Sequence, residues 1–321
     1  MTTFTADPLN LTGAATAQAA DAAPDRLWRR ILASRRIVVS GGVLLLMLLL
    51  CVATLPWTFY DHDTPTRLYY DRQDPTLSKK PPSFEGGWRV FGTDIQGRSL
   101  LGRCLLGGSI SLAVGAAAAA ISVVLGLTVG LVAGYRGGWV DALLMRLVDI
   151  LYGLPYILIV ILFQVAFSSS RVGSVVVLFV AIGLVSWLTM ARVVRGQVLS
   201  LRAQPFIEAC RASGLTEWRI FTRHLLPNLV GPVIVYATLT VPQAILQESF
   251  LSFLGIGVQK PLPSWGSLAS DGLLPALNPI HSRWWLLVFP CVLLATTLLS
   301  LNFLGDGLRD VLDPKREAAK I

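Results

Sequence analysis

Six long apolar blocks constrain the fold of this 321-residue chain more than any other feature. They fall at residues 37–57, 109–134, 143–167, 172–190, 229–251 and 285–304. A helix needs roughly 20 apolar residues to cross about 30 Å of hydrocarbon, and lipid offers the backbone no water to bond to. Only 14% of the residues are charged, whereas soluble domains carry about 25%. The sequence therefore predicts an all-α integral membrane protein with about six transmembrane helices.

The basic residues predict how these spans are oriented. The net charge is +8, and most of the 27 lysines and arginines lie in the two tails and in the connections that share a side with them. Short loops rich in Lys and Arg face the cytoplasm, so we expect both termini there. No nucleic-acid-reading module accompanies the positive charge, which argues against nucleic-acid binding.

The expected organisation follows from the blocks and their orientation. A largely disordered cytoplasmic tail precedes the first span, which is long enough to cross the membrane and is not a cleaved signal peptide. The predicted segments are a tail at 1–36, a span at 37–57, an extracytoplasmic segment at 58–107, a five-helix core at 108–305 with a cytoplasmic loop at 191–228, and a tail at 306–321.

The loop 191–228 has the composition of helices rather than that of a flexible connection. Apolar residues recur at helical spacing on both sides of Gly214 in the stretch FIEACRASGLTEWRIFTRHLLPN. Glycine between two helical stretches is the usual place for a left-handed turn, so we predict two short helices that meet at Gly214. Two interpretations remain: an amphipathic helix that only covers the bundle, or a helix that inserts into a groove of a partner protein.

This loop resembles the EAA signature of bacterial ABC importer permeases, E-A-A-x-x-x-G followed by a hydrophobic pattern and L-P-N. The chain has E-A-C-R-A-S-G, with Cys210 at the third position. Four more stretches resemble the family in the same order: FGTDIQGRSLLGR, GLVAGYRGGWVDALLMRLVDILYGLP, ESFLSFLGIGVQKPLPSWG and NFLGDGLRDVLDP. The resemblance points to the second, C-type permease subunit of the dipeptide/oligopeptide branch. Ser99, Gly102 and Gly108 depart from the family pattern, which leaves the role of their segment open.

The resemblance implies the architecture of a type I ABC importer permease in the bacterial inner membrane. It implies a second homologous permease subunit, two ABC ATPase subunits that use ATP and Mg²⁺, an extracytoplasmic substrate-binding protein, and no cofactor on this chain. It also implies a coupling helix at about 205–220 that docks on the ATPase, in which Glu208, Ala209 and Gly214 match the signature positions. The expected docking residues are Glu208, Ala209, Cys210, Gly214 and Leu215. Di- and oligopeptides are the expected substrates, and nickel or another small solute is the alternative.

The sequence itself indicates that this chain does not hydrolyse ATP. A phosphate-binding loop needs G-x-x-x-x-G-K-[ST], and none of the five lysines follows a glycine. No H-E-x-x-H or G-x-S-x-G motif suggests a catalytic site, and the four cysteines lack the spacing of a metal site. An intramembrane enzyme is thus disfavoured. A channel or secondary transporter that works alone remains an alternative, although it needs no docking helix.

Few polar residues interrupt the predicted spans. Four of them are candidates for the translocation path or for hydrogen bonds between helices: Gln164, Gln243, Gln247 and Glu248. A second group, at the inner ends of the spans, is expected to form ion pairs; it consists of Asp141, Arg146, Asp149, Arg192 and Arg195.

Three prolines fall within the third, fifth and sixth predicted spans: Pro155, Pro242 and Pro290. Each is expected to kink its helix, because proline frees a carbonyl in the preceding turn.

Overall fold

The computed structural model describes residues 29, 31–61, 67–84, 87–167 and 171–312. Most of the N-terminal tail predicted to be disordered and most of the C-terminal tail fall outside the described residues, but residues 31–33 and 35–36 of the predicted N-terminal tail are helical.

All regular structure in the described part of the chain is helical, apart from one isolated bridge between Thr93 and Ser99. In chain order the helices are α1 (Arg35–Ala53), α2 (Leu55–Phe59), a 3-10 turn (Pro75–Leu77), α3 (Leu100–Arg136), α4 (Gly138–Tyr152), α5 (Tyr156–Phe167), α6 (Arg171–Arg202), α7 (Pro205–Ala212), α8 (Glu217–Ile220), a π-helical turn (Phe221–Leu225), α9 (Leu226–Phe253), α10 (Trp265–Ala276) and α11 (Trp285–Leu312).

The prediction of about six spans is confirmed. Within the described residues, five helical stretches are long and apolar enough to cross a membrane: 35–53, 100–136, 175–202, 217–253 and 285–312. Helices α4 and α5 together pass the same test, although they are bent by 83° relative to each other, so that the pair counts as a sixth, broken span.

The prediction that the third span, 143–167, is one continuous helix was wrong. Helix α4 ends at Tyr152, and three residues separate it from α5: Gly153, Leu154 and Pro155. Glycine is a weak helix former, and proline both removes an N–H group and disfavours helical geometry at the residue before it. Together they break the helix, whereas Pro242 and Pro290 remain inside α9 and α11 as predicted.

Two helices also extend beyond the predicted bounds. Helix α6 continues to Arg202, well into the predicted loop, because residues 191–202 contain no proline and Gly196 alone does not end the helix. Helix α3 begins at Leu100, inside the predicted extracytoplasmic segment, because Ser99 caps it by accepting a hydrogen bond from the amide of Gly102 at 3.2 Å.

Helices α3 and α6 form the centre of the bundle. A ridge of glycines four residues apart on α3 faces α6, and a Cβ at Gly126, Gly130 or Gly134 would lie only 2.5, 2.6 or 2.8 Å from atoms of that helix. Small residues at this spacing let two helices approach closely and gain van der Waals contact in lipid. The same reasoning explains why α3, which is rich in Gly, Ala and Ser, is the most central helix.

The 37-residue α3 is about 55 Å long and connects two different ends of the molecule. At one end lie α7 and α8, which we call the lever end. At the other end, residues 67–84 and 87–99 form the cap, which lies beside α10. Thr93 is buried in the cap: its hydroxyl donates to the carbonyl of Leu77, and its amide donates to that of Lys80.

The departures from the family pattern have local explanations in this packing. A Cβ at Gly102 would lie 2.0 Å from the carbonyl oxygen of Leu68, and one at Gly108 would lie 2.6 Å from the Trp265 ring. Larger side chains do not fit at either position.

Candidate coupling and translocation sites

The lever, residues 205–225, consists of α7, a turn, α8 and the π-helical turn. Pro205 begins α7, where its missing N–H costs nothing. The π-helical turn then leads into α9 without a break in the helical backbone, because Leu225 and Leu226 both have helical φ and ψ angles. The lever is therefore continuous with a membrane-spanning helix.

The turn of the lever is a Schellman motif centred on Gly214. The φ angle of Gly214 is 75°, in the left-handed region. The amide of Leu215 donates to the carbonyl of Cys210 at 3.1 Å, and that of Gly214 donates to the carbonyl of Arg211 at 2.9 Å. The two short helices that the sequence predicts on either side of Gly214 are thus present. Cys210 and Leu215 are half-buried and pack on the apolar cluster beneath the turn.

That cluster anchors the lever to the bundle. Its fully buried members are Ile207, Ile220 and Leu225. Polar contacts reinforce the attachment, since the hydroxyl of Tyr135 on α3 donates to the Glu217 carboxylate at 2.5 Å. A single guanidinium nitrogen of Arg202 also donates to the carbonyls of residues 134 and 135, which ties α6 to α3. Movement of the lever must therefore displace the ends of several helices.

The opposite face of the lever is open to solvent. Glu208, Ala209 and Gly214 are exposed. So are two aromatic residues, Phe206 at 41% and Trp218 at 74%. Large apolar side chains in such a position are a feature of partner-binding surfaces. Trp218 was expected only as one of the apolar residues that recur at helical spacing after Gly214, and the spacing did not show that its side chain lies on the exposed face.

The predicted ion pairs join α4 to α6. The Arg195 guanidinium binds Asp141 through two nitrogens at 2.5 and 2.6 Å, and Arg192 binds Asp149 at 2.7 Å. The guanidinium of Arg192 also lies 4.2 Å from the ring centroid of Tyr152. The end of α4 next to the break is thereby attached to α6. Arg146 is exposed.

A cavity of about 560 Å³ lies at the break between α4 and α5. Residues 151–156 line it together with parts of α6 and α9, and none of its lining residues is charged. The structure places two of the four predicted path residues here, Gln243 and Gln247. Two tyrosines at the break, Tyr152 and Tyr156, also line it and were missed, because a broken span was not expected.

The other two predicted path residues lie elsewhere. Gln164 is buried on α5 and does not line the cavity. Glu248 is 0% exposed, and its carboxylate accepts hydrogen bonds from Ser111 at 2.8 Å and from Ser252 at 2.6 Å. Ser252 in turn accepts a bond from the amide of Val258. Glu248 therefore connects α9 to α3 and to the segment after α9. Of the two roles that the sequence left open, the translocation path and hydrogen bonding between helices, its contacts fit the second.

The described residues contain no group of three or more His, Cys, Asp and Glu side chains that could hold a metal ion.

A bundle of about six spans, with an exposed helical lever at one end and an uncharged cavity at a broken span, defines a transmembrane permease subunit. Comparison with known proteins supports this class. The chain belongs to the family of binding-protein-dependent transport system inner membrane components, whose model matches residues 126–318. It is therefore a multi-pass inner-membrane transport component and not an enzyme.

Characterised relatives place the chain in the peptide branch of that family. The chain is 53% identical to the oligopeptide transport system permease protein OppC of Escherichia coli K12, over 77% of this chain and 78% of the relative. It is 42% identical to the dipeptide transport system permease protein DppC of Bacillus subtilis 168, over 76% and 73% of the two chains. Its resemblance to the C-type permeases is thus confirmed.

A solved structure of an ABC transporter shares the fold. A chain of the MetNI methionine ABC transporter, in an inward-facing conformation, superposes with a TM-score of 0.52 at 20% identity. The match covers 66% of this chain and 96% of the other. At this identity the likeness supports the fold alone.

Proposed function

We propose that this chain forms half of the membrane channel of an ATP-driven importer for dipeptides and oligopeptides. A second, homologous permease supplies the other half, two separate ATPase subunits hydrolyse ATP with Mg²⁺, and an extracytoplasmic binding protein delivers the peptide. The names of the relatives support the substrate, and the absence of a phosphate-binding loop supports a separate motor. Both termini and the lever face the cytoplasm, in line with the distribution of basic residues.

The observation that carries this proposal is the lever itself. One face is anchored by buried side chains, whereas the other presents Phe206, Glu208 and Trp218 to a partner. When the ATPase dimer closes on ATP, a docked lever is displaced with it. Because α9 continues directly from the lever, the displacement reaches Gln243, about 26 Å along the helix from Leu226. Trp218 of the lever and the path residues Gln243 and Gln247 thus belong to one helical stretch, 217–253.

The translocation path in this proposal is the cavity at the break. Its wall offers amides, hydroxyls and apolar surface but no fixed charge. Such a lining binds the peptide backbone by hydrogen bonds and neither attracts nor repels a particular charged side chain. That property suits a carrier of peptides with varied sequences.

Docking is tested by truncating the exposed aromatic residue of the lever. Trp218→Ala should lower co-purification with the ATPase subunits by about tenfold or more, because buried aromatic anchors dominate interfaces. The matched control is Phe84→Ala, which removes an aromatic side chain that is 93% exposed in the cap, at the other end of the molecule. Equal co-purification of both variants with the wild type would contradict docking through this face.

The path is tested by comparing two polar residues of α9 that lie five positions apart. Gln243→Ala should change peptide uptake by the reconstituted importer without lowering its thermal stability, because the side chain is exposed to the cavity. Glu248→Ala should instead lower stability by about 1–3 kcal/mol, because it leaves buried serine hydroxyls without their acceptor. Unchanged uptake by the Gln243 variant would remove that residue from the path.

A further inference from the structure

The lever meets α9 through an unusual stretch of backbone. Residues 221–225 form a π-helical turn, in which the amide of Leu226 donates to the carbonyl of Phe221, five residues earlier. Such turns are rare, and they occur mostly as single irregular turns within α-helices, often at functional sites. They are also places where helices kink. A lever that bends at this turn absorbs the displacement of its partner and passes little of it to α9.

A tyrosine of α3 spans the π-helical turn. The hydroxyl of Tyr135 donates to the Glu217 carboxylate at 2.5 Å and lies 2.9 Å from the main-chain carbonyl oxygen of the same residue. Glu217 is the first residue of α8, on the lever side of the turn. The Tyr135 ring packs edge-on against Phe221, the first residue of the turn, with 5.3 Å between the ring centroids. One side chain of α3 thus contacts both the lever and its junction with α9.

The neighbours of Tyr135 hold its ring and its acceptor in place. The guanidinium carbon of Arg202, on α6, lies 5.8 Å from the ring centroid, and Arg202 also donates to the main-chain carbonyl of Tyr135 at 2.7 Å. On the lever side, the second carboxylate oxygen of Glu217 accepts from Arg211 of α7 at 3.0 Å. The Glu217 carboxylate therefore joins α3, α7 and α8. Hydrogen bonds to a charged acceptor are stronger than those between neutral groups.

Helices α3 and α9 are also joined near the other end of the bundle. The Ser111 hydroxyl of α3 donates to the Glu248 carboxylate of α9 at 2.8 Å, and both side chains are fully buried. Ser111 and Tyr135 lie about 36 Å apart along α3 at 1.5 Å per residue. Hydrogen bonds at two such distant points oppose any pivoting of the lever and α9 against α3.

We propose that Tyr135 is a positioning residue for energy coupling. Its hydroxyl holds the lever at a fixed angle to α3 across the π-helical turn, so that displacement of the lever moves α9 and α3 together instead of bending the turn. This inference rests on the proposed function, in which an ATPase displaces the lever. Tyr135 does not line the cavity at the break. Its effect is therefore on the number of peptides moved per ATP and not on peptide binding.

The conservative variant Tyr135→Phe removes the hydroxyl and keeps the ring contacts. In the complete importer in proteoliposomes, the number of peptides taken up per ATP hydrolysed should fall about threefold to tenfold, the range expected for a hydrogen bond to a charged, partly solvated group. Co-purification of the ATPase subunits should match the wild type, because the exposed face of the lever is unchanged. A merely structural role would lower uptake and ATP hydrolysis in equal proportion and leave their ratio unchanged.

The matched control removes another hydroxyl from the same helix. Thr128 is exposed on α3, and its hydroxyl donates only to carbonyls of its own helix, those of Val124 and Leu125. Thr128→Val should therefore keep the wild-type number of peptides per ATP. An equal fall in both variants would show that the loss is not specific to the contact with the lever and would overturn the assignment.

Hydrogen exchange reports on the π-helical turn directly. In the intact importer, the backbone amides of residues 222–226 should exchange severalfold faster in Tyr135→Phe than in the wild type, because the turn opens more often without its brace. Exchange in Thr128→Val should match the wild type. Unchanged exchange in Tyr135→Phe would contradict the bracing of the turn.

A double variant tests whether Glu217 is the relevant acceptor. Tyr135→Phe and Glu217→Ala remove the same hydrogen bond, so the double variant should couple no worse than Glu217→Ala alone. Losses that multiply would show that the two residues act separately and would refute the pair as one unit. Glu217→Gln keeps an acceptor oxygen and should retain more coupling than Glu217→Ala.

The outcomes separate this inference from the proposed function. A wild-type number of peptides per ATP in Tyr135→Phe refutes the positioning role alone, provided that uptake by the wild-type importer depends on ATP. Uptake by the wild type that does not depend on ATP would instead refute the proposed function.

Discussion

The conformation of Gly214 gives the sharpest prediction about coupling. With φ at 75°, this residue lies in a region that costs an L-amino acid roughly 1–2 kcal/mol, and a β-branched side chain more. A Cβ added at Gly214 meets no atom within 4 Å, so the cost of substitution comes from the backbone and not from a collision. About 1.4 kcal/mol corresponds to a tenfold change in an equilibrium.

Gly214→Val should therefore reduce the population of the docking-competent lever by about tenfold or more. The expected result is a loss of ATPase co-purification and of peptide-stimulated ATP hydrolysis in proteoliposomes, while membrane insertion, followed by fractionation, stays normal. Gly214→Asn is the matched variant, because asparagine tolerates left-handed geometry, and it should retain most of the coupling.

The controls separate backbone strain from a general effect of replacing glycine. Gly231→Ala changes another glycine with open space around it, but one within α9, and should leave coupling intact. Wild-type coupling in Gly214→Val, or equal losses in the Val and Asn variants, would refute the argument from the left-handed turn.

Three further predictions concern stability. Asp141→Asn should destabilise the purified protein by about 1–2 kcal/mol in thermal unfolding, and Asp149→Asn by less than about 1 kcal/mol, because only the first carboxylate is largely buried and bidentate; equal effects would contradict this ranking. Gly266→Ala should lower the yield of folded protein, because its Cβ would lie 2.1 Å from a backbone oxygen, and a normal yield would refute that close approach. Hydrogen bonding from Thr76 lowers the pKa of Asp74, so its contribution to stability is present above about pH 4 and is lost as the pH falls through the lowered value; Asp74→Asn should flatten that part of the stability profile.

Much of the fold was predictable because its signals are local. An apolar run of about 20 residues identifies a span wherever it occurs, since the bilayer acts on each helix separately. The turn at Gly214 was equally readable, because a Schellman motif is defined by consecutive residues. The break at Pro155 was the exception. Its sequence showed a proline, but prolines at 242 and 290 remained within helices, so proline alone does not determine whether a span bends or separates.

The sites depended on contacts between distant segments, which the sequence does not reveal one helix at a time. Gln243 and Glu248 are both polar residues of α9, yet one faces a cavity and the other is buried against Ser111 of α3. The sequence does not distinguish Arg103 from the other arginines. Its burial results from packing against the cap and α10, which excludes water from its side chain. The sequence by itself determined which segments cross the membrane and where the lever turns, because those outcomes depend on neighbouring residues and the solvent. Only the tertiary structure decided which polar groups are buried together, because burial and pairing are properties of several packed helices at once.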